Sequence, residues 1–519
     1  MKMTKPFLRM QRYNGFVFKG VDTLQKKQSF VTGAAVLAAA SVLCKLMSAV
    51  FKIPLDRFFL HEDGIAVYQS VCSVYNVFLA ICVTGIPIAL SGIIARSDDV
   101  SAADYCFTAF VFVSAFCAVS AVLLFAFAEP IALHLAGGGI TPAACAIRAS
   151  APALLVMGVI SSCRGYFQGR GNMMPSALSQ LTESFMKAVL GIAICALLIS
   201  GGIEKGAMGA MAGVSAGAVC SAAALLILIK RQRLPRGSFS RKKAAEILKL
   251  SVPVTLGAFG FTAVMLADTL TVTNILADCG FGTTERLSLF GYLTRANTVY
   301  NLPATIITSV TASIFPVISS ARINGEKSAV SEQISRAIRL IFLVSLPCAF
   351  GLALFAPQIF LLLYSTGKHA DLLILIGLLV LIMPYFQTTT GMLQAMDCVW
   401  KPIFACAGAA AVKLALNYVL IPRIGIEGAL VSTAAAFAAA AAVNTVILKS
   451  VSAFDKCAGV IVKTLACAAA ACAAARLIYM LFPSVPVLLA AIIFAAAAYL
   501  ALAWLTGCIS KEDVLLLRK

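Results

Sequence analysis

Between Val31 and Pro54 the chain reads VTGAAVLAAASVLCKLMSAVFKIP, with Lys45 near the middle of the run and Lys52 near its end. About 20 mostly apolar residues of helix suffice to cross a hydrocarbon core about 30 Å thick, so this run can span a bilayer. A cation at the centre of such a helix costs roughly 2.5–3.5 kcal/mol. A water-filled cavity, a partner charge or an anionic substrate would each offset that cost. Lys52 lies close enough to a helix end to carry its ammonium to the headgroups along its own stem. Lys45 has apolar chain on both sides and lacks that route, so it is read as lining a cavity.

Runs of this kind recur along all 519 residues. Charged residues make up 12% of the chain and the mean hydropathy is +0.95, whereas soluble proteins carry about 25% charge. The pattern predicts an all-α integral membrane protein of about 14 helices, over residues 30–54, 65–95, 104–127, 143–165, 175–200, 206–230, 248–277, 286–317, 336–362, 371–394, 402–421, 425–449, 456–480 and 484–507. Pro87 and Pro303 mark expected kinks. The 17 cysteines form no CxxC pair and read as small apolar residues. His61, His134 and His369 are far apart, so no metal site is expected.

The net charge of +19 points to membrane orientation and not to nucleic acid. With the N-terminus inside, about 29 of the 41 Lys and Arg residues fall in cytoplasmic loops and tails, which predicts a multi-pass protein of the cell membrane with both termini cytoplasmic. Residues 1–29 read as a basic interfacial segment anchored by Phe7, Phe16 and Phe18. The basic stretch KRQRLPRGSFSRKK, Lys230 to Lys243, divides two halves. The expected organisation is an N-lobe at 30–230, a linker at 231–247, a C-lobe at 248–450, an extra helix pair at 456–507 and a tail at 508–519.

The halves repeat. Gly165, Gln168 and Pro175 match Gly391, Gln394 and Pro402. Val74-Tyr75-Asn76 matches Val299-Tyr300-Asn301, Lys187 matches Lys413, and Ala95-Arg96 matches Ala321-Arg322. Gly206 and Gly209-Ala210 match Gly425 and Gly428-Ala429. Six helices per repeat relate the lobes by an axis along the membrane normal, around a central cavity. Gly209, Gly213 and Gly217 form a small-xxx-small ladder for close helix packing.

The chain holds no GxxxxGK[ST] loop, GxSxG elbow or HExxH, and no enzymatic activity or cofactor is expected. Its chemistry rests on polar residues within the membrane. Lys45, Lys187, Arg295 and Lys413 are basic, and Glu183 and Asp268 are acidic. Glu183 can pair with Lys187 four residues on. Asp268 falls within about a turn of the repeat position of Lys45 and can meet it across the lobes, or can bind Na⁺ or H⁺ with Asn274 or neighbouring threonines. Tyr68, Asn76 and Asn301 are expected on cavity-facing surfaces. The excess of cations favours an anionic substrate.

KLMSAVFKIP (Lys45–Pro54), GIAVYQ (Gly64–Gln69), GIPIA (Gly85–Ala89) and RGYFQG (Arg164–Gly169) resemble the stage V sporulation protein B family. That family belongs to the multidrug/oligosaccharidyl-lipid/polysaccharide (MOP) superfamily, with the MurJ-type flippases and MATE exporters. The resemblance implies alternating access between two six-helix lobes, and a polyprenyl-pyrophosphate-linked sugar as substrate. It also implies a groove for a lipid tail at the last two helices. By similarity, Lys45, Lys52 and Arg295 hold the pyrophosphate, although lysines stand where MurJ-type proteins carry an arginine pair.

The resulting expectation is a flippase for an anionic lipid-linked oligosaccharide such as a cell-wall precursor. Lys45, Lys52, Arg295, Lys187, Lys413, Tyr68, Asn76 and Asn301 are the substrate residues, and Asp268 and Asn274 couple to Na⁺ or H⁺. The expected partners are the lipid-linked oligosaccharide, membrane lipids and cell-wall synthesis proteins. A cation-coupled exporter of small molecules and a non-transporting sporulation or cell-wall scaffold are the alternatives.

Overall fold

The computed structural model describes residues 30–135, 142–232, 237–312, 314–452 and 458–508. The basic segment at 1–29 and the tail beyond 508 lie outside them. Described residues are helical almost throughout. The N-lobe comprises α1 (Phe30–Pro54), α2 (His61–Val83), α3 (Ile86–Ile94), α4 (Asp99–Ala126), α5 (Ala128–Leu135), α6 (Pro142–Gly169), α7 (Met174–Leu198) and α8 (Ile203–Arg231). The C-lobe comprises α9 (Arg241–Asp278), α10 (Thr283–Ala312), α11 (Phe315–Ile323), α12 (Lys327–Leu354), α13 (Ala356–Tyr364), α14 (Leu372–Ala395), α15 (Trp400–Ile424) and α16 (Glu427–Val451). A final pair, α17 (Ala458–Leu481) and α18 (Val485–Leu505), follows.

Twelve helical stretches are long and apolar enough to cross a membrane among the described residues. One of them, Val36–Ile94, holds two crossings. A six-residue π-helical turn, Leu55–Leu60, follows α1, and His61 at φ 51° breaks the helical path. Helix α10, which covers most of the expected eighth crossing, is a 30-residue helix that is not among these twelve. The break at Pro87 is sharper than a kink: α2 ends at Val83 and Pro87 starts a separate helix. Pro303 stays inside α10, which ends nine residues later at Ala312. Helix α9 begins at Arg241, within the basic linker, and the expected ninth span divides into α12 and the short α13.

The glycine ladder fixes the directions of the N-lobe helices. A Cβ on Gly209 would lie 2.8 Å from the Cys195 amide nitrogen, one on Gly213 2.2 Å from Gly191 Cα, and one on Gly217 2.6 Å from the Glu183 carbonyl. Rising positions on α8 meet falling positions on α7, so these two helices are antiparallel and in backbone contact. Ser41 and Ser48 of α1 meet Gln180 and Lys187 of α7 at one constant spacing, which makes α1 parallel to α7. Cys72 of α2 meets Met211 of α8 at that same spacing. Helix α2 thereby packs against α8.

The C-lobe repeats the arrangement. A Cβ on Gly428 would lie 2.8 Å from the Ile421 nitrogen and the Leu420 carbonyl carbon, the counterparts of Cys195 and Ile194. The face of the molecule that carries the Leu55–Leu60 turn and α13 is called distal below. The face that carries the α8–α9 linker is called proximal.

Candidate functional site

Ser41, Lys45, Ser48 and Lys52 recur at helical spacing and form one polar stripe on α1. Leu43 and Val50, 50% and 65% exposed, occupy the opposite face, where lipid solvates apolar side chains. The stripe therefore turns toward protein. Ser41 Oγ donates to Gln180 Oε1 at 3.3 Å, Lys187 Nζ donates to Ser48 Oγ at 3.4 Å, and Lys52 Nζ donates to Gln69 Oε1 at 2.6 Å. Lys45 is exposed and makes no hydrogen bond or ion pair among the described residues. Three ammonium groups thus share one region of the N-lobe, and the two that are hydrogen-bonded have only neutral acceptors.

The local pairing expected between Glu183 and Lys187 does not form. Glu183 instead accepts from Arg164 Nη2 of α6 at 2.8 Å, and Arg164 Nε reaches Ser179 Oγ at 2.8 Å. An arginine from a neighbouring helix thereby removes the one acid that would have neutralised Lys187. Arg164 belongs to the RGYFQG segment, but only the tertiary packing of α6 on α7 shows what it does.

In the C-lobe the outcome is opposite. Lys413, fully buried, donates to Asp268 Oδ2 and to Thr433 Oγ1, both at 2.8 Å. Asn417 donates to Asp268 Oδ1 at 3.3 Å and to Thr271 Oγ1 at 2.8 Å, and Ser432 closes the network by donating to Asn417. Lys413 is the repeat mate of Lys187, so Asp268 stands where the N-lobe has Ser48. This corrects two expectations. Asp268 pairs with Lys413 inside its own lobe and not with Lys45 across the lobes. Lys413 is enclosed by protein and does not face a substrate path.

Arg295 also has protein partners. Its Nε and Nη2 grip both oxygens of Asp56 at 2.8 and 2.7 Å, and Nη2 reaches Glu62 at 3.1 Å. Tyr292 and Tyr364 stack on the guanidinium, each 5.2 Å from its carbon. Arg295 and Asp56 are 3% and 2% exposed, so a buried bidentate pair joins α10 of the C-lobe to the distal turn of the N-lobe. In this conformation Arg295 locks the distal seam through its Nε and Nη2. Further contacts draw the same seam together. Arg57 donates to the Leu362 carbonyl at 3.0 Å, Thr273 donates to the Leu135 carbonyl at 3.1 Å, and Gly291 packs so closely that a Cβ would lie 2.1 Å from the Glu62 carbonyl oxygen.

Asn274 belongs to this seam as well, donating to the carbonyls of Leu270 and His134; Asn417 is the amide that joins Asp268. Tyr68 is 1% exposed, edge-on to Phe51 at 6.2 Å in the N-lobe core, and so faces no cavity. Asn76 and Asn301 are exposed at matching places on α2 and α10, without side-chain hydrogen bonds among the described residues. Asp56 and Glu62 were missed because a sequence places them in a loop. The signal was their position directly after a helix whose lobe must close against a buried arginine.

Beside the seam, α10, α12, α17 and α18 enclose an apolar groove of about 830 Å³, lined by Pro303, Pro347, Gly351, Cys472 and Tyr499 among others.

Residues 30–322 match the family model described as polysaccharide biosynthesis protein. The chain belongs to that family. Among curated proteins it is 28% identical to the membrane protein YabM of Bacillus subtilis (strain 168) over 482 residues, covering 89% of each chain. It is 26% identical to stage V sporulation protein B of that organism, covering 78% of this chain and 80% of the relative. To the lipid II flippase MurJ of B. subtilis it is 21% identical, covering 80% and 82%. Of solved structures, lipid II flippase MurJ in an inward closed conformation superposes with a TM-score of 0.69 at 14% identity, covering 91% of this chain and 98% of the other. An inward-facing MATE transporter of the MOP superfamily gives 0.67 at 17% identity, covering 80% and 97%. This member of the polysaccharide biosynthesis family thus has the MOP transporter fold, extended by α17 and α18.

Proposed function

We propose that the chain is a flippase that carries an anionic, polyprenyl-pyrophosphate-linked oligosaccharide across the cell membrane by alternating access, with both termini and the proximal face in the cytoplasm. The supporting observation is the charge asymmetry between matched positions. Lys413 is neutralised by Asp268, whereas Lys45, Lys52 and Lys187 have no carboxylate partner among the described residues. An unpaired cation within a membrane segment is costly, and a pyrophosphate offsets three of them at once. Lysines hold it as point charges and tolerate several orientations of the head. Gln69, Gln180 and the two serines supply neutral groups for its oxygens or for sugar hydroxyls.

The apolar groove lets the lipid tail stay in hydrocarbon while the polar head crosses between the lobes, so the head avoids transfer into lipid. In the described state the distal seam is shut by Arg295, Asp56 and Glu62. Opening it would hydrate all three groups and release Arg295 for the phosphate. Coupling to Na⁺ or H⁺ remains part of the proposal, at Asp268, whose carboxylate would have to exchange Lys413 for the ion.

The test is to express the chain in cells depleted of their lipid II flippase, together with transport of a sugar-bearing polyprenyl-pyrophosphate probe in reconstituted vesicles. Activity that falls at least tenfold in Lys45→Ala and Lys187→Ala supports the reading. Full activity in both variants would remove the site, and a chain that moves organic cations in place of the probe would make it an exporter.

A further inference from the structure

The glycine ladder of the N-lobe is broken in the C-lobe. Gly209 matches Gly428, so Gly213 and Gly217 of α8 match Ser432 and Ala436 of α16. Gly191, four residues after Lys187, matches Asn417, four residues after Lys413. A Cβ on Gly213 would lie 2.2 Å from Gly191 Cα, whereas at the matching place Ser432 donates to Asn417. Side chains stand on rungs that the N-lobe leaves bare, so the backbones of α15 and α16 cannot close as those of α7 and α8 do. Proximal to those rungs the two helices enclose a second apolar groove, of about 410 Å³. Ala405, Ala409 and Ala440 are its buried lining, and Phe404, Val412 and Val443 its exposed lining.

Lys401 lines the proximal end of this groove, one residue after Trp400 opens α15. Trp400 is exposed, and an exposed tryptophan at the end of a spanning helix sits at headgroup level. Lys401 is exposed and makes no hydrogen bond or ion pair among the described residues. Asp397, the nearest acid along the chain, is taken by Arg322 at 2.8 Å. An apolar groove thus ends, at headgroup depth, on an unneutralised cation.

Length selects the occupant. The α15 wall runs from Lys401 to Val412, about 17 Å at 1.5 Å per residue. One leaflet supplies about 15 Å of hydrocarbon, half of the roughly 30 Å core. A phospholipid of the proximal leaflet fills that depth with its phosphate level with Lys401. A spanning helix from a partner or a second copy needs the whole core and would find a seat for only half its length.

We propose that the groove between the proximal halves of α15 and α16 holds an acyl chain of an anionic phospholipid, with the lipid phosphate on Lys401. The lipid fills the space that Ser432 and Ala436 keep open between two helices of the C-lobe. Gly408 offers a second handle, because it lines the groove and a Cβ there meets nothing within 4 Å.

The experiment is photo-cross-linking of the full chain in nanodiscs. The probes are phosphatidylglycerol and phosphatidylcholine with the same diazirine-bearing acyl chain, and adducts are mapped by peptide mass spectrometry. Phosphatidylglycerol should label 404–412 and 439–447 about fivefold more than phosphatidylcholine, the preference one lysine near anionic headgroups implies. Lys401→Gln should erase that preference and Lys401→Arg should keep it. Gly408→Leu should lower labelling of these segments by both lipids alike. Lys449→Gln, two residues beyond Ile447 and so on the other side of α16, should change nothing. Equal labelling by the two lipids in the intact chain would overturn the assignment and make the groove an ordinary lipid contact. So would an undiminished preference in Lys401→Gln, or a loss in Lys449→Gln as large as in Lys401→Gln, which would trace the effect to surface charge at large. Labelling confined to discs that hold a single chain would give the groove to a second copy.

Discussion

Ser48→Asp should turn the N-lobe polar network into a copy of the one in the C-lobe. The serine oxygen lies 3.4 Å from Lys187 Nζ, and its counterpart Asp268 lies 2.8 Å from Lys413 Nζ, so a carboxylate at position 48 reaches the ammonium. Two unit charges 4 Å apart interact by about 4 kcal/mol at an effective dielectric constant of 20, and the new pair should form and leave the fold intact. It also places a negative charge about 6 Å from a phosphate seated among the lysines. Repulsion at that distance is roughly 2.8 kcal/mol, about a hundredfold in affinity. Ser48→Asn, of similar size and without charge, is the control. The assay is vesicle transport and binding of a sugar-bearing polyprenyl-pyrophosphate, read beside the thermal midpoint. A hundredfold loss in Ser48→Asp with a preserved midpoint, and near-normal behaviour in Ser48→Asn, is expected. Normal transport by Ser48→Asp would refute the claim that the unneutralised lysines receive the anion, and equal damage by both variants would show that shape and not charge matters there.

Asp56→Asn removes one half of a buried bidentate pair, a change that typically costs about 3–5 kcal/mol. Faster amide hydrogen exchange at 55–64 and 289–296 should report a loosened distal seam, and unchanged exchange would show that the pair does not hold it. Lys413→Met leaves Asp268 buried without its cation and should lower the thermal midpoint sharply. Adding Asp268→Asn should restore much of the loss, because a neutral pair carries no stranded charge; additive damage would contradict the pairing. Gly213→Val puts branched carbon where a single Cβ already comes within 2.2 Å of Gly191 Cα, and membrane-folded yield should collapse. The same substitution at Gly408, whose Cβ meets nothing within 4 Å, should be tolerated.

The parts of this molecule that were readable from its residues are those set by solvent and by local spacing. Apolar length fixed the crossings, since lipid forces every backbone donor into a helix. The glycines at 209, 213 and 217 predicted close packing because a missing Cβ has one obvious use. The Lys187–Lys413 match survived intact and led to the paired networks. What could not be read is which side chain from a distant segment arrives at each charge. Glu183 had a partner four residues away and took Arg164 from another helix. Asp268 was aimed across the lobes, and Asn417, four residues after Lys413, was the neighbour that completed its network. Arg295 looked free because its carboxylates lie more than 200 residues earlier. Local spacing offers a charge its candidates, and tertiary packing chooses among them.

Duplication alone would give two equivalent lobes, each with a lysine at the matching position, Lys187 on α7 and Lys413 on α15. Two opposed, unneutralised lysine clusters would repel each other across any shared cavity, and bound anion would relieve that repulsion most when the lobes are closest. Such a protein would grip its cargo and resist opening. Neutralising one copy changes this. With Lys413 buried against Asp268, the C-lobe network is a closed polar unit, and on the flippase reading proposed above the unneutralised lysines of the N-lobe are the ones left to receive the anion. The lobes then meet through a contact distinct from both lysine networks, Arg295 against Asp56 and Glu62. A chain in which Asp268 and Ser48 were exchanged should keep both lysines and the seam, yet shift anion affinity from one lobe to the other; binding that stayed on the N-lobe after that exchange would show that the asymmetry lies elsewhere.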